Sequence, residues 1–233
     1  MSHKMPLLLL PGLLCDGDLW KSQIKSLESF AVCSVANTTQ HDNISAIARS
    51  VLNSAPPQFA VAGLSMGGYV ALEIIRQAPE RVIKLGLFNT SARPDTAEQR
   101  ERRTLLLAMS KAGQFKGVTP RLLPMLIHPD HLKDKDLTTL IMTMAERLGR
   151  DVFNNQQTAI LQREDSRPYL KNIRCPVLLI GGSQDAITPI EVMREINQQI
   201  PQSAFHVLEH CGHLSTLEQP QRVNSLMQSW LDG

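Results

Sequence analysis

Gly63-Leu64-Ser65-Met66-Gly67-Gly68 is the stretch that decides how this chain is read. It follows the apolar run Phe59-Ala60-Val61-Ala62 and precedes the helix-like run Tyr69-Val70-Ala71-Leu72-Glu73-Ile74-Ile75-Arg76. A serine between small residues, where a strand gives way to a helix, has the pattern of a nucleophile elbow. The turn is so sharp that side chains two residues either side of the serine would collide, so both flanks call for glycine. Its hydroxyl is left exposed near a helix N-terminus, whose free N–H groups and dipole favour developing negative charge. A phosphate-binding loop is a poor rival. The chain has neither Gly-x-x-x-x-Gly-Lys-Ser/Thr nor Gly-x-Gly-x-x-Gly here. The same glycines would also suit a plain turn, so the rest of the chain must supply a base and an acid to orient it.

Working outward, short apolar runs alternate with helical patterns. Strands are expected at Leu7–Leu10, Ala31–Ala36, Gln58–Ala62, Ile83–Phe88, Val177–Ile180 and Phe205–Leu208. Several are apolar throughout, as in a parallel sheet covered on both faces. Ile44, Ile47, Ala48, Val51 and Leu52 mark one helix, and Val223, Leu226, Met227, Trp230 and Leu231 mark the last. Thr188-Pro189-Ile190-Glu191 reads as a capping box opening another, which Pro201 stops. This alternation means an open α/β sheet. It breaks once, from about Ser91 to Leu170, where the signals are helical. Asp95-Thr96-Ala97-Glu98 looks like a helix start, Gly113 its end, and Gly149 the end of a stripe from Leu137 to Leu148. Such an insertion can cover the sheet edge where α/β folds bind ligands.

Two more loops after strands carry reactive residue types. Asp185 follows Val177–Ile180, and His213 follows Phe205–Leu208 within Glu209-His210-Cys211-Gly212-His213. Ser65, Asp185 and His213 are thereby expected at one edge of one parallel sheet, in the chain order Ser, Asp, His. His206 and His210 read as structural residues. His210, Cys211 and His213 match no common zinc spacing, so no metal is expected.

The chain resembles the α/β-hydrolase superfamily over nearly all its length. The resemblance rests on the elbow Gly63–Gly68, the segment Gly182 to Pro189, Gly212-His213 followed by Glu218-x-Pro220, and Arg174-Cys175-Pro176-Val177-Leu178-Leu179-Ile180-Gly181. It implies an α/β-hydrolase fold of about six mostly parallel strands, helices on both faces and a helical cap. The expected organisation is a single domain, with core 1–90 and 171–233 and the cap at about 91–170. It also implies an oxyanion hole made by the backbone N–H groups of Leu13 and Met66, with Pro11 where the family carries His. Asn89 stands where some relatives carry an acid and cannot itself serve as one. The implied activity is hydrolysis of a small carboxylic ester, thioester or lactone by the triad Ser65, Asp185 and His213, with no cofactor. Lyases and C–C bond hydrolases of the same fold, such as the synthase of menaquinone assembly, carry similar triads. A non-enzymatic ligand receptor on this fold is the second alternative.

Composition narrows the partners. A net charge of +2 and the lack of a basic stripe argue against nucleic acid. Hydrophobic content of 42% with 20% charged residues is that of a soluble globular chain. Cys15, Cys33, Cys175 and Cys211 form no Cys-x-x-Cys pair, which fits a reducing cytoplasm. Leu7–Leu10, bracketed by Pro6 and Pro11, is too short for a secretion signal, and no run approaches a membrane span. Arg100-Glu101-Arg102-Arg103 reads as a solvated helix face. The expected partner is a small-molecule substrate, with oligomeric state open. Arg93 and Arg163, near the two ends of the insertion, are candidates for holding an anionic substrate tail.

Overall fold

The computed structural model describes residues 4–233. Six strands form one parallel sheet: β1 Met5–Leu10, β2 Ala31–Val35, β3 Phe59–Leu64, β4 Val82–Phe88, β5 Val177–Gly182 and β6 Ala204–Leu208, in the order β2-β1-β3-β4-β5-β6. Each strand was expected, and several extend a residue or two further. β3 and β5 run into Gly63 and Gly182, which periodicity reads as turn residues. The long helices are α1 Ile44–Ser54, α2 Met66–Gln77, α3 Ala97–Met109, α4 Lys135–Leu161, α5 Ile190–Gln199 and α6 Pro220–Asp232.

Strand pleat divides the core. Leu8 and Leu10 of β1 join the layer built with Ile47 and Val51 of α1, Val70 and Ile74 of α2, and Met193 and Ile196 of α5. Leu7 and Leu9 face the other layer, with Trp20, Phe88, Val223 and Trp230. Trp20 is fully buried and its ring lies 5.7 Å from that of Phe88. A sheet covered on both faces needs apolar side chains at successive positions, which is why these strands do not alternate.

Between β4 and β5 every regular element among the described residues is helical. Thr96 caps α3 in a reciprocal capping box with Gln99, and α4 is broken at Gly149, where φ is 75°. The capping box expected at Thr188 does not form. Pro189 is the N-cap of α5 without a side-chain bond, because the Thr188 hydroxyl donates to Asp185 instead. The charged run at Arg100 is only partly a solvated face: Arg103 reaches inward to the buried Asp95, 2.7 Å away, and to Gln157.

All the loops that follow β1, β3, β4, β5 and β6 lie at the carboxyl edge of the sheet, as parallel pairing requires. The β3–α2 turn fits there only because of its glycines. A Cβ on Gly67 would overlap the backbone of Leu10, and one on Gly63 would overlap Gly67. The neighbours are backbone atoms that cannot swing aside. Gly67→Ala is therefore expected to lower stability by about 3 kcal/mol or more, read as a shifted urea midpoint, whereas Gly113→Ala meets open space and loses only the ease of its positive φ.

Candidate active site

Ser65 is the hinge between β3 and α2, with φ 56° and ψ −117°. L residues rarely occupy this region, and holding one there costs about 1–3 kcal/mol. The surroundings fix it. Ser65 N–H donates to Phe88 O at 2.9 Å, and Ser65 O accepts from Gly68 N–H at 2.9 Å and from Thr90 Oγ1 at 2.7 Å. The side chain opens onto a cavity of about 1000 Å³ between the sheet edge and the helical insertion.

His213 and Asp185 meet at the same edge. His213 Nδ1 lies 2.8 Å from Asp185 Oδ2 and 3.0 Å from Oδ1, and both residues are buried. Burial pushes the Asp185 carboxyl up, but the neighbouring His213 and hydrogen bonds from His213, Asn89 and Thr188 outweigh it and bring it down to about 2. The carboxylate thus accepts, and Nδ1 must be the protonated nitrogen of a neutral His213, which leaves Nε2 as the basic one. Among the described residues no hydrogen bond joins His213 to the Ser65 hydroxyl, but both line the one cavity. Such contacts often close only when substrate is bound.

Sequence reasoning missed most of what holds this acid. Ile187 and Thr188 N–H groups each donate to Asp185 Oδ1 at 2.9 Å, and the Thr188 hydroxyl donates to Oδ2 at 2.7 Å. Asn89 Nδ2 donates to Asp185 Oδ2 at 2.9 Å and to Gly212 O at 3.1 Å. Asn89 therefore ties the loop after β5 to the loop after β6. Its position after β4 was the only signal, since nothing in sequence shows a loop-to-loop contact.

The segment after β1 lies against the serine. A Cβ on Gly12 would stand 3.3 Å from Ser65 Cβ. Leu13 N–H makes no hydrogen bond among the described residues, and Met66, the first residue of α2, has no partner within its helix. Leu14 is held at φ 55°. Its N–H donates at 2.9 Å to Oε1 of Gln156, a fully buried side chain of α4 that also donates to Thr38 O. With Pro11 in place of His, the side-chain link to this loop comes from the helical insertion, and no motif pointed to Gln156.

Glu218 is a second buried tie. Its carboxylate accepts from Gly212 and Leu214 N–H in the loop after β6 and from His128 N–H at 2.7 Å in the insertion, and it contacts His131 Nδ1 at 3.0 Å. His213 N–H in turn donates to Leu126 O.

Arg93 and Arg163 both line the cavity. Each already has an anion: Arg93 is 2.7 Å from Glu195, and Arg163 is 2.7 Å from the buried Asp95 and stacked 4.3 Å over the Tyr69 ring. His210, Cys211 and His213 point to different surroundings. His213 turns to Asp185, the Cys211 thiol is buried and pushed far up, first by burial and then by Glu218, and His210 faces solvent.

A family model described as alpha/beta hydrolase fold matches residues 47–220. The chain belongs to this family. This α/β hydrolase is 27% identical to a pimeloyl-[acyl-carrier protein] methyl ester esterase of Nitrosomonas europaea, across 94% of the chain and 92% of the relative. It is 28% identical to a 3-oxoadipate enol-lactonase of Acinetobacter baylyi, across 74% of the chain and 63% of that relative. In structure it resembles a malate-bound thermophilic esterase from Thermogutta terrifontis, with a TM-score of 0.88 and 28% identity, covering 98% of the chain and 89% of the esterase. No helix among the described residues of this hydrolase is long and apolar enough to cross a membrane.

Two outcomes follow for this hydrolase. A carboxyl held below its ordinary value of 3.8 adds stability that is present above about pH 4 and is lost as pH falls through about 2. The stability gap between wild type and Asp185→Asn, measured by urea unfolding, should therefore narrow as pH drops from about 4 to about 2. Gln156→Leu strands the Leu14 N–H, and should lower stability by about 1–3 kcal/mol and reduce kcat more than it raises KM.

Proposed function

We propose that this hydrolase cleaves a small carboxylic ester, thioester or lactone through an acyl-enzyme on Ser65, with His213 as base and Asp185 as the acid that orients it. The observation that carries the reading is the pairing of a charged Asp185 with His213 Nδ1 beside a cavity that Ser65 also lines. His213 Nε2 takes the Ser65 proton as Oγ attacks the substrate carbonyl. Asp185 fixes the tautomer and stabilises the imidazolium that forms. The N–H groups of Leu13 and Met66 receive the oxyanion, a role that suits donors with no partner of their own. His213 then hands its proton to the leaving oxygen or sulfur, and the same residue draws a proton from the water that frees the acid. The named activities of the methyl ester esterase and the enol-lactonase, both oxygen-ester hydrolases, favour this substrate class.

The cavity walls support a further choice. Leu106, Met109, Leu122, Met125, Leu126 and Phe153 line it, an apolar surface suited to an acyl chain. Leu107, Leu123 and Met144 instead pack within the protein, and Leu105 points to solvent. Charged lining residues are Arg93, Arg102, Arg103, Lys116, Arg121 and Arg163 against the single carboxylate of Asp95. Arg93, Arg103 and Arg163 have ion-pair partners, whereas Arg102, Lys116 and Arg121 have none within 4.0 Å among the described residues. Excess positive charge at the wall of a partly enclosed, largely apolar cavity attracts anions. We therefore assign the substrate an acyl chain that carries a negative charge.

Ser65→Ala should lose all covalent labelling by a fluorophosphonate while remaining folded; stoichiometric labelling of that variant would move the nucleophile elsewhere. His213→Gln should lower kcat by about 10³–10⁴. A p-nitrophenyl ester series should favour an acyl chain ending in carboxylate over the neutral chain of equal length. Arg121→Glu should raise KM for the anionic ester alone. Equal kcat/KM for the two esters would remove the charged acyl chain while leaving the esterase assignment intact.

A further inference from the structure

His128 and Asp130 flank Pro129 in a short turn of the helical insertion, Pro129–Lys133, whereas His210 belongs to the loop that carries His213. The fold brings the three together on the surface, outside the cavity that Ser65 lines. One ligand atom from each lies within 4.8 Å of the other two. Asp130 Oδ2 is 3.4 Å from His128 Nδ1 and 3.7 Å from His210 Nδ1. Those spacings exceed good hydrogen bonds but suit a shared cation. Ligand atoms at about 2.0–2.1 Å from a tetrahedral zinc stand about 3.3 Å from one another.

The surroundings leave these groups available. His131 is engaged by Glu218 and His213 by Asp185, but the His210 ring makes no hydrogen bond among the described residues. The His128 side chain is 12% exposed and forms the fixed corner. Asp130 and His210, at 71% and 77%, are free to close the remaining ångström by rotation of their side chains. The two imidazoles are edge to face, with centroids 5.4 Å apart, so the rings are not stacked against each other. One bond must be given up: Asp130 N–H donates to His128 Nδ1 at 3.2 Å. That N–H belongs to an exposed residue, so water replaces the acceptor at little cost.

We propose that His128, Asp130 and His210 bind a zinc ion, with water in the fourth position. Two imidazoles and one carboxylate suit zinc, whereas calcium and magnesium call for oxygen ligands throughout. The ligands come from the insertion and from the loop after β6, so the ion is a clasp between them. It works alongside the Glu218 carboxylate, which joins the same two segments from the buried side. None of the three ligands is Ser65, Asp185 or His213, so the clasp does not depend on the hydrolytic reading.

The test is calorimetric titration of chelator-stripped protein with zinc chloride. Wild type should take up one equivalent, and its Tm should rise by about 5 °C at a hundredfold excess over Kd. His210→Asn, which keeps a residue tolerant of φ 54°, and Asp130→Asn should each weaken binding at least tenfold and abolish the Tm rise, with the zinc-free Tm unchanged. No uptake by wild type overturns the site. So does uptake that both variants retain, or uptake lost only when Cys33 and Cys175 are alkylated.

Discussion

The backbone of Ser65, at φ 56° and ψ −117°, is the constraint around which the site is arranged. A residue stays in that region only if its neighbours over-determine it. Here they do so on three sides. β4 accepts the Ser65 N–H through Phe88 O, Thr90 holds its carbonyl, and the β1 loop packs so close that Gly67 has no room for a side chain. Three strands of the sheet therefore meet at one residue. The strain is stored where the Ser65 side chain meets the cavity, and the first turn of α2 begins at the next residue.

Buried polar ties then convert the sheet edge and the insertion into one site. Asn89 joins the loops after β4, β5 and β6; Gln156 joins α4 to the loop after β1; Glu218 joins the loop after β6 to the turn at His128. Each replaces water as a hydrogen-bond partner in a buried setting, so removing one leaves a stranded donor or acceptor rather than merely a missing contact. Two of these tying side chains, Asn89 and Glu218, belong to the segments that follow strands at the sheet edge, and Gln156 comes from the insertion. A change in the insertion is transmitted to the loops after β1 and β6 through named bonds.

Charge is arranged with equal economy. Asp95 is almost wholly buried, yet it faces both Arg103 and Arg163 at 2.7 Å, so two cations share one anion in the cavity wall. The pairing compensates their desolvation, while the surplus charge, with Arg102, Lys116 and Arg121, remains directed at the cavity.

The six strands, the elbow at Ser65 and the loop positions of Asp185 and His213 were legible in the sequence because each rests on local physics. A parallel strand buried on two faces must be apolar throughout, a strained turn must be flanked by glycine, and a parallel sheet places the residues after its strands at one edge. Boundaries moved where glycine continued a strand, and the capping box at Thr188 failed because Asp185 competed for its hydroxyl. What sequence could not supply is which distant side chains meet. Asn89 with Asp185, Gln156 with Leu14, and His128 with Asp130 and His210 are contacts across loops and layers with no period or spacing to announce them. Local chain chemistry determined the strands and the places of Ser65, Asp185 and His213 after them. Only the tertiary packing of the loops at the sheet edge, and of the insertion against them, decided their partners, because those contacts are chosen by three-dimensional proximity rather than by position along the chain.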